Sequence, residues 1–152
     1  MQVKKIVMAS DHAACSLKAF LKEALLAKGY EIIDCGTNSS EQSVDYPDEA
    51  YLLAKVLKNN EADVGILLCG SGIGMSIAVN RYAHIRGALV HSVEYAKLAR
   101  QHNDANVLVL GGRFLEPDTA LEITNIFLTT DFEGGRHALR VAKLGGMPHD
   151  FK

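Results

Sequence analysis

The chain reads as an α/β protein of three layers: a five-stranded parallel sheet of Rossmann-like form, helices on both faces, and one further helix at the C-terminus. Three observations predict this. Short apolar runs alternate with segments of helical period along the chain. The run Val64–Leu68 is apolar almost throughout, as in a strand covered on both sides. With 152 residues and 48% apolar content, the chain suffices for one domain with a full-sized core, so a single domain over residues 1–152 is expected.

Strands are expected at Lys5–Ala9, Glu31–Cys35, Val64–Cys69, Gly87–Val90 and Val107–Leu110. Between the first two, Leu17, Phe20, Leu21, Ala24 and Leu25 fall on one helical face, and Gly29 stops that helix. Ala50, Leu53, Ala54 and Leu57 mark a second helix. Three more are expected near Gly72–Tyr82, Val93–Gln101 and Pro117–Leu128, the last opening on a proline with Asp118 beside it. Residues 36–46 are polar and rich in Gly, Ser and Asn, which makes them a loop that ends at Pro47. In the tail, Gly134 and Gly135 close an extended piece and start a short helix.

Open α/β sheets bind ligands beyond the carboxyl ends of their strands. That edge gathers Asp11 and His12 after the first strand, Tyr46 in the loop after the second, Cys69 to Gly74 after the third and Arg113 after the fifth. The segment Cys69-Gly70-Ser71-Gly72-Ile73-Gly74 carries most of the chemistry. A glycine-rich turn between a strand and a helix aims several backbone N–H groups at one point, where they hold an anion or a developing negative charge. A cysteine at its lip moves a proton or attacks a carbon. Cys15 and Cys35 read as packing residues.

Composition excludes several classes. A net charge of −2, with no run of basic residues, disfavours nucleic acid and anionic membranes as partners. Three widely separated cysteines make neither a zinc spacing nor a disulfide framework, which suits the cytoplasm. The chain opens on a strand pattern, so no leader is expected, and no run approaches the roughly twenty apolar residues of a membrane span. The first strand-to-helix turn, Ala9-Ser10-Asp11-His12-Ala13, lacks the glycines of a dinucleotide site. Met75 stands where a cysteine phosphatase needs arginine. Cys69 and Ile73 stand where a serine hydrolase elbow needs glycines. No Walker-type phosphate loop occurs, and no His, Cys or carboxylate cluster at ligand spacing, so no metal and no cofactor are expected.

Arg136 and Arg140 stand four apart, which on a helix puts two guanidinium forks on one face, suited to a phosphomonoester or simply to solvent. His137 travels with them. His12 follows Asp11, and His102 lies in Arg-Gln-His-Asn-Asp at the end of a helix. Each is either functional or a surface or cap residue, whereas His84, His91 and His149 have no such setting.

Five segments in order resemble one family: Ser10-Asp11-His12; Gly36-Thr37 with Asp45-Tyr46-Pro47; Cys69-Gly70-Ser71-Gly72-Ile73-Gly74; Arg100-Gln101-His102-Asn103-Asp104; and Glu133-Gly134-Gly135-Arg136-His137 with Arg140. The family is the sugar-phosphate isomerases of the ribose-5-phosphate isomerase B type, which includes galactose-6-phosphate and allose-6-phosphate isomerases. The resemblance implies that Cys69 shuttles a proton between C1 and C2 through an enediolate, assisted by Ser71. It implies that the N–H groups of Gly70, Gly72, Ile73 and Gly74 hold the enediolate oxygens, and that His102 opens the furanose ring. Asp11, Tyr46 and Asn103 would line the sugar, while His12, Arg113, Arg136 and Arg140 would bind phosphate. The site would form at a homodimer interface, in a dimer or dimer of dimers, with His102, Asn103 and Arg113 supplied by the neighbour. Members with glutamate at the position of Met75 lack the cysteine; this chain resembles the cysteine type. The expected reaction is interconversion of ribose 5-phosphate and ribulose 5-phosphate. The alternatives are allose 6-phosphate or galactose 6-phosphate isomerisation, and a non-catalytic flavodoxin-like module that binds a phosphate ligand.

Overall fold

In the computed structural model, residues 2–145 are described. Strands β1 (Lys5–Ser10), β2 (Glu31–Asp34), β3 (Val64–Cys69), β4 (Gly87–Leu89) and β5 (Val107–Gly111) form one parallel sheet in the order β2-β1-β3-β5-β4. Helices are α1 (Cys15–Ala27), α2 (Tyr46–Lys58), α3 (Ile73–Val79), α4 (Val93–Asn103), α5 (Pro117–Thr129) and α6 (Arg136–Gly145). The expected fold class is the one observed, C-terminal helix included. His149 lies outside the described residues.

Register follows from burial on both faces. The central strand β3 is buried at every position, and its partners align Ser10 with Leu68 and Cys69 with Gly111, so the carboxyl ends of β1, β3 and β5 finish level. Alternate side chains then feed two cores. Ile6, Met8, Ile66, Leu68, Leu108 and Leu110 meet α1, α4 and α5 on one face. Val7, Ala9, Leu67, Cys69, Val107 and Val109 meet α2 and α3 on the other.

Several ends shift by a single residue from expectation, and three helix boundaries shift further, each for a local reason. Helix α2 begins at Tyr46 because Pro47, with no N–H to lose, suits the first turn. Helix α3 ends at Val79 because Asn80 turns the chain: its side-chain amide donates to Ser76 O and Gly87 O, and its Oδ1 accepts from Gly87 N–H. Helix α4 runs on to Asn103, where Asp104 adopts a left-handed conformation as its cap, so His102 and Asn103 are helical.

Candidate active site

One side of the site is built on the level ends of β1, β3 and β5. Asp11 leaves β1 with its N–H on Leu68 O, and its Oδ1 accepts from Ala13 N–H at 3.0 Å and Ala14 N–H at 3.3 Å, capping a short 3₁₀ turn over His12–Ala14. Oδ2 is left without a hydrogen bond among the described residues. His12 Nδ1 accepts from Val44 N–H at 3.2 Å; a neutral ring held that way carries its proton on Nε2 and presents it as a donor.

Cys69 closes β3, buried, and its Sγ accepts from Gly72 N–H at 3.2 Å. That bond favours sulfur with electron density to offer. Ser71 Oγ takes Ile73 N–H, while the next amides of α3's first turn face no intrahelical carbonyl and stay available to an anion. Gly72 sits at φ +80°, and a methyl group there would lie 2.5 Å from Leu89 Cδ1 and 3.1 Å from the backbone of Leu110. A methyl on Gly74 would lie 2.7 Å from the Tyr46 ring, so the tyrosine rests directly on the glycine loop.

Arg113 donates its N–H to Gly70 O at 3.0 Å, and its guanidinium lies against Gly70. This corrects the expectation that Arg113 reaches the site from a neighbour: it lies beside the glycine loop of its own chain. The pair before it, Gly111 and Gly112, escaped sequence reasoning, although a Gly-Gly-Arg sequence at a strand end was a signal. Gly112 N–H donates to Cys69 O at 2.8 Å, and a methyl on Gly111 would lie 2.5 Å from Ser71 O, so both let the loops after β3 and β5 touch. Glu49 was missed too. It is buried in α2, its Oε2 accepts from Thr37 N–H, and burial raises its pKa above the usual carboxylate value. Burial and the Asp34 carboxylate push the Cys35 thiol up to about 11, which fits an inert packing residue.

The remaining predicted residues lie elsewhere. Helix α4 runs back toward the amino ends of the strands, where Asp104 O accepts from Arg86 Nε just before β4 and Ala105 precedes β5. His102 and Asn103 are therefore separated from Cys69 by the length of β5, about 13 Å. Arg136 and Arg140 belong with them, at the exposed start of α6. The His102 ring stacks on His137 at 4.3 Å and 12°, and Glu133 N–H donates to Gln101 O. Within one chain His102, Asn103, Arg136 and Arg140 thus lie together, away from Cys69. Burial, then the neighbouring His102 and Arg136, lowers the His137 pKa below the usual imidazole value. A second correction concerns ligand clusters. Spacing along the chain shows none, yet the fold brings donor atoms of His102, Glu133 and His137 within 4.8 Å of one another.

The family model described as ribose/galactose isomerase matches residues 6–144. Ribose-5-phosphate isomerase B of Escherichia coli (strain K12) is 43% identical over 139 residues, covering 91% of this chain and 93% of that protein. A putative sugar phosphate isomerase of Bacillus subtilis (strain 168) is 45% identical over 140 residues, covering 92% and 94%. The crystal structure of a Thermotoga maritima ribose 5-phosphate isomerase superposes with a TM-score of 0.91 at 52% identity, covering 95% of this chain and 99% of that one. Ribose-5-phosphate isomerase B from Mycoplasma genitalium, solved with bound ribulose-5-phosphate, gives a TM-score of 0.89 at 42% identity, covering 95% and 96%.

Proposed function

The chain belongs to the ribose/galactose isomerase family, and from that premise we propose that it interconverts ribose 5-phosphate and ribulose 5-phosphate through an enediolate, with Cys69 as the base. The observation that carries this reading is the Cys69 sulfur, held by Gly72 N–H at the lip of a loop of main-chain donors. Moving a proton on carbon next to a carbonyl needs a base and a means of stabilising the oxyanion, and this loop supplies both.

In the open-chain sugar the thiolate takes the C2 proton. Electrons flow onto the C1 carbonyl oxygen, where the loop amides that Cys69 Sγ and Ser71 Oγ leave free receive the charge, with Ser71 beside them. Return of the proton to C1, with the O2 proton passing to O1, leaves the ketose. Asp11 Oδ2 and Tyr46 contact the sugar hydroxyls. The His12 Nε2–H and the Arg113 guanidinium face the phosphate.

The second group of residues completes the site from another copy of the chain. His102 and Asn103 lie a strand's length from Cys69 in one chain, so a homodimer, or a dimer of such dimers, is the arrangement that unites them. In it the partner's α4 and α6 bring His102 to exchange protons with O1 and the ring oxygen during furanose opening, and Arg136 and Arg140 to grip the phosphate in bidentate fashion. The pentose is favoured over the hexose alternatives because the solved relatives described above are ribose 5-phosphate isomerases. No helix among the described residues is long and apolar enough to cross a membrane, and the three unpaired thiols suit a cytoplasmic setting.

The test is Cys69→Ala, assayed with ribose 5-phosphate and the competing hexose phosphates. Turnover is expected to fall at least about a thousandfold, with ribulose 5-phosphate affinity by calorimetry nearly unchanged. Turnover within tenfold of the parent sinks the assignment of the base, and a clear preference for a hexose phosphate in the parent sinks the choice of substrate.

A further inference from the structure

His102, Glu133 and His137 come from the last turn of α4, the connection after α5 and the first turn of α6, yet each offers a ligand atom within 4.8 Å of the others. His137 Nε2 lies 3.7 Å from Glu133 Oε2, and the two imidazoles are stacked face to face at 4.3 Å, so one ring must turn out of the stack before a nitrogen of each can face the same point. Ligands of a tetrahedral ion with bonds of about 2.1 Å lie about 3.4 Å apart, so rotation of the more exposed His102 ring about its side-chain bonds, with small shifts of the other two groups, would close this set on an ion.

The backbone already holds the donors in place. Glu133 N–H is tied to Gln101 O at 3.0 Å. Gly134 and Gly135, at φ +67° and +57°, fold the chain back so that His137 N–H meets Gly134 O and Glu133 stands over His137. A non-glycine residue adopts that pair of conformations only under strain. His137 is buried while its partners open to solvent, which leaves the ion a route in.

We infer that His102, Glu133 and His137 form a binding site for a divalent transition-metal ion of the zinc, cobalt or nickel type, with a fourth position open to water. Two imidazoles and one carboxylate select such ions over magnesium or calcium, which prefer oxygen alone. The Arg136 Nε lies 3.5 Å from His137 Nε2; this exposed side chain swings aside as the ion enters, and its charge keeps the affinity modest. The consequence for turnover rests on the function proposed above. An ion held by His102 occupies the lone pair that ring opening needs, so the metal is a reversible inhibitor.

Metal-stripped protein titrated with Co²⁺ and followed by its visible spectrum reads the site directly. One ion per chain is expected, without the thiolate charge-transfer band that binding at the free cysteines would give. Glu133→Gln and His137→Asn should each weaken it about tenfold or more. Absence of saturable binding, a thiolate band, or equal affinity in both variants overturns the site. In activity assays Zn²⁺ should inhibit the parent, EDTA should restore it, and Glu133→Gln should keep basal turnover while resisting Zn²⁺. If Co²⁺ binds as described but Zn²⁺ leaves turnover untouched, the metal site stands and the role given to His102 falls.

Discussion

Lys18 is among the largest fully buried side chains, and its ammonium group spends all three protons inside the protein: on Asp34 Oδ1 at 2.6 Å, Thr37 O at 2.8 Å and Asn38 Oδ1 at 2.9 Å. These bonds pin the loop after β2, the loop that presents Val44 to His12 and then starts α2 with Tyr46 on the glycine loop. Lys18→Met leaves the Asp34 carboxylate with Lys22 alone and is expected to cost about 3 kcal/mol in urea unfolding. KM should rise more than kcat falls, because the loop that loosens carries binding groups. A second ionic residue contributes to the pH dependence of stability. Asp63 Oδ2 accepts from Lys4 N–H and Lys5 N–H, each at 2.9 Å, and these bonds lower its pKa from the ordinary 3.8. The unfolded chain then binds the proton more readily, so this contribution is whole above the unfolded pKa and disappears as pH falls through the lowered folded value. Asp63 is exposed, so its worth is about 1 kcal/mol or less. Asp63→Asn should lower the melting temperature slightly at pH 7 and leave it unchanged near pH 2; an equal loss at both pH values would contradict the linkage.

The α3 turn shows how an element can depend on one backbone position. Gly72 holds φ +80° with no room for a methyl group against Leu89 and the Leu110 backbone, so Gly72→Ala must move the turn, at about 2–3 kcal/mol for strain and crowding together. The moved amide is the one that meets Cys69 Sγ. Because the sulfur loses the N–H that holds it and the donor amides after it shift with the turn, a fall in kcat of about a hundredfold is expected in steady-state assays while circular dichroism still reports a folded protein; a kcat near the parent's would detach the turn from the chemistry. This turn was legible in sequence because its elements are continuous: a buried apolar strand, a run of glycines, then a helix. The five strands and the crevice at their carboxyl ends were legible for the same reason, since periodicity and strand-end position are local properties. Which end of the molecule the Arg136–Arg140 pair reaches was not legible, because it depends on where α4 runs and on what α6 packs against. Of His102, Glu133 and His137, only the four-residue gap between the last two shows along the chain; His102 joins them through the fold. Buried Arg100 ties α4 to the chain after α5 through Thr130 O, a tertiary link that no window of sequence contains, and also holds Ala105 O just ahead of β5.

At the scale of the whole molecule, the separation of Cys69 from His102 makes a demand that no single-chain property can meet. Both groups are needed in one catalytic cycle under the proposed function, yet in one chain β5 stands between them. If the site is shared across a two-fold axis, each dimer has two sites, and each site takes Cys69 from one protomer and His102 from the other. Cys69→Ala and His102→Asn homodimers should then both be nearly inactive. A mixed dimer differs: the Cys69→Ala chain still contributes an intact His102, the His102→Asn chain an intact Cys69, and the two meet in one restored site while the other site carries both lesions. With free exchange of equal amounts, half the dimers are mixed, so specific activity should recover to about a quarter of the parent value. Co-expression with two affinity tags, followed by isolation of the doubly tagged species, should raise that to about half. The same isolation with Cys69→Ala and Arg113→Ala chains should restore nothing, since those two residues stand on one side of the site and every site in the mixed dimer lacks one of them. Recovery in that second pair, or none in the first, would mean that the groups are brought together in some way other than by a partner's α4 and α6.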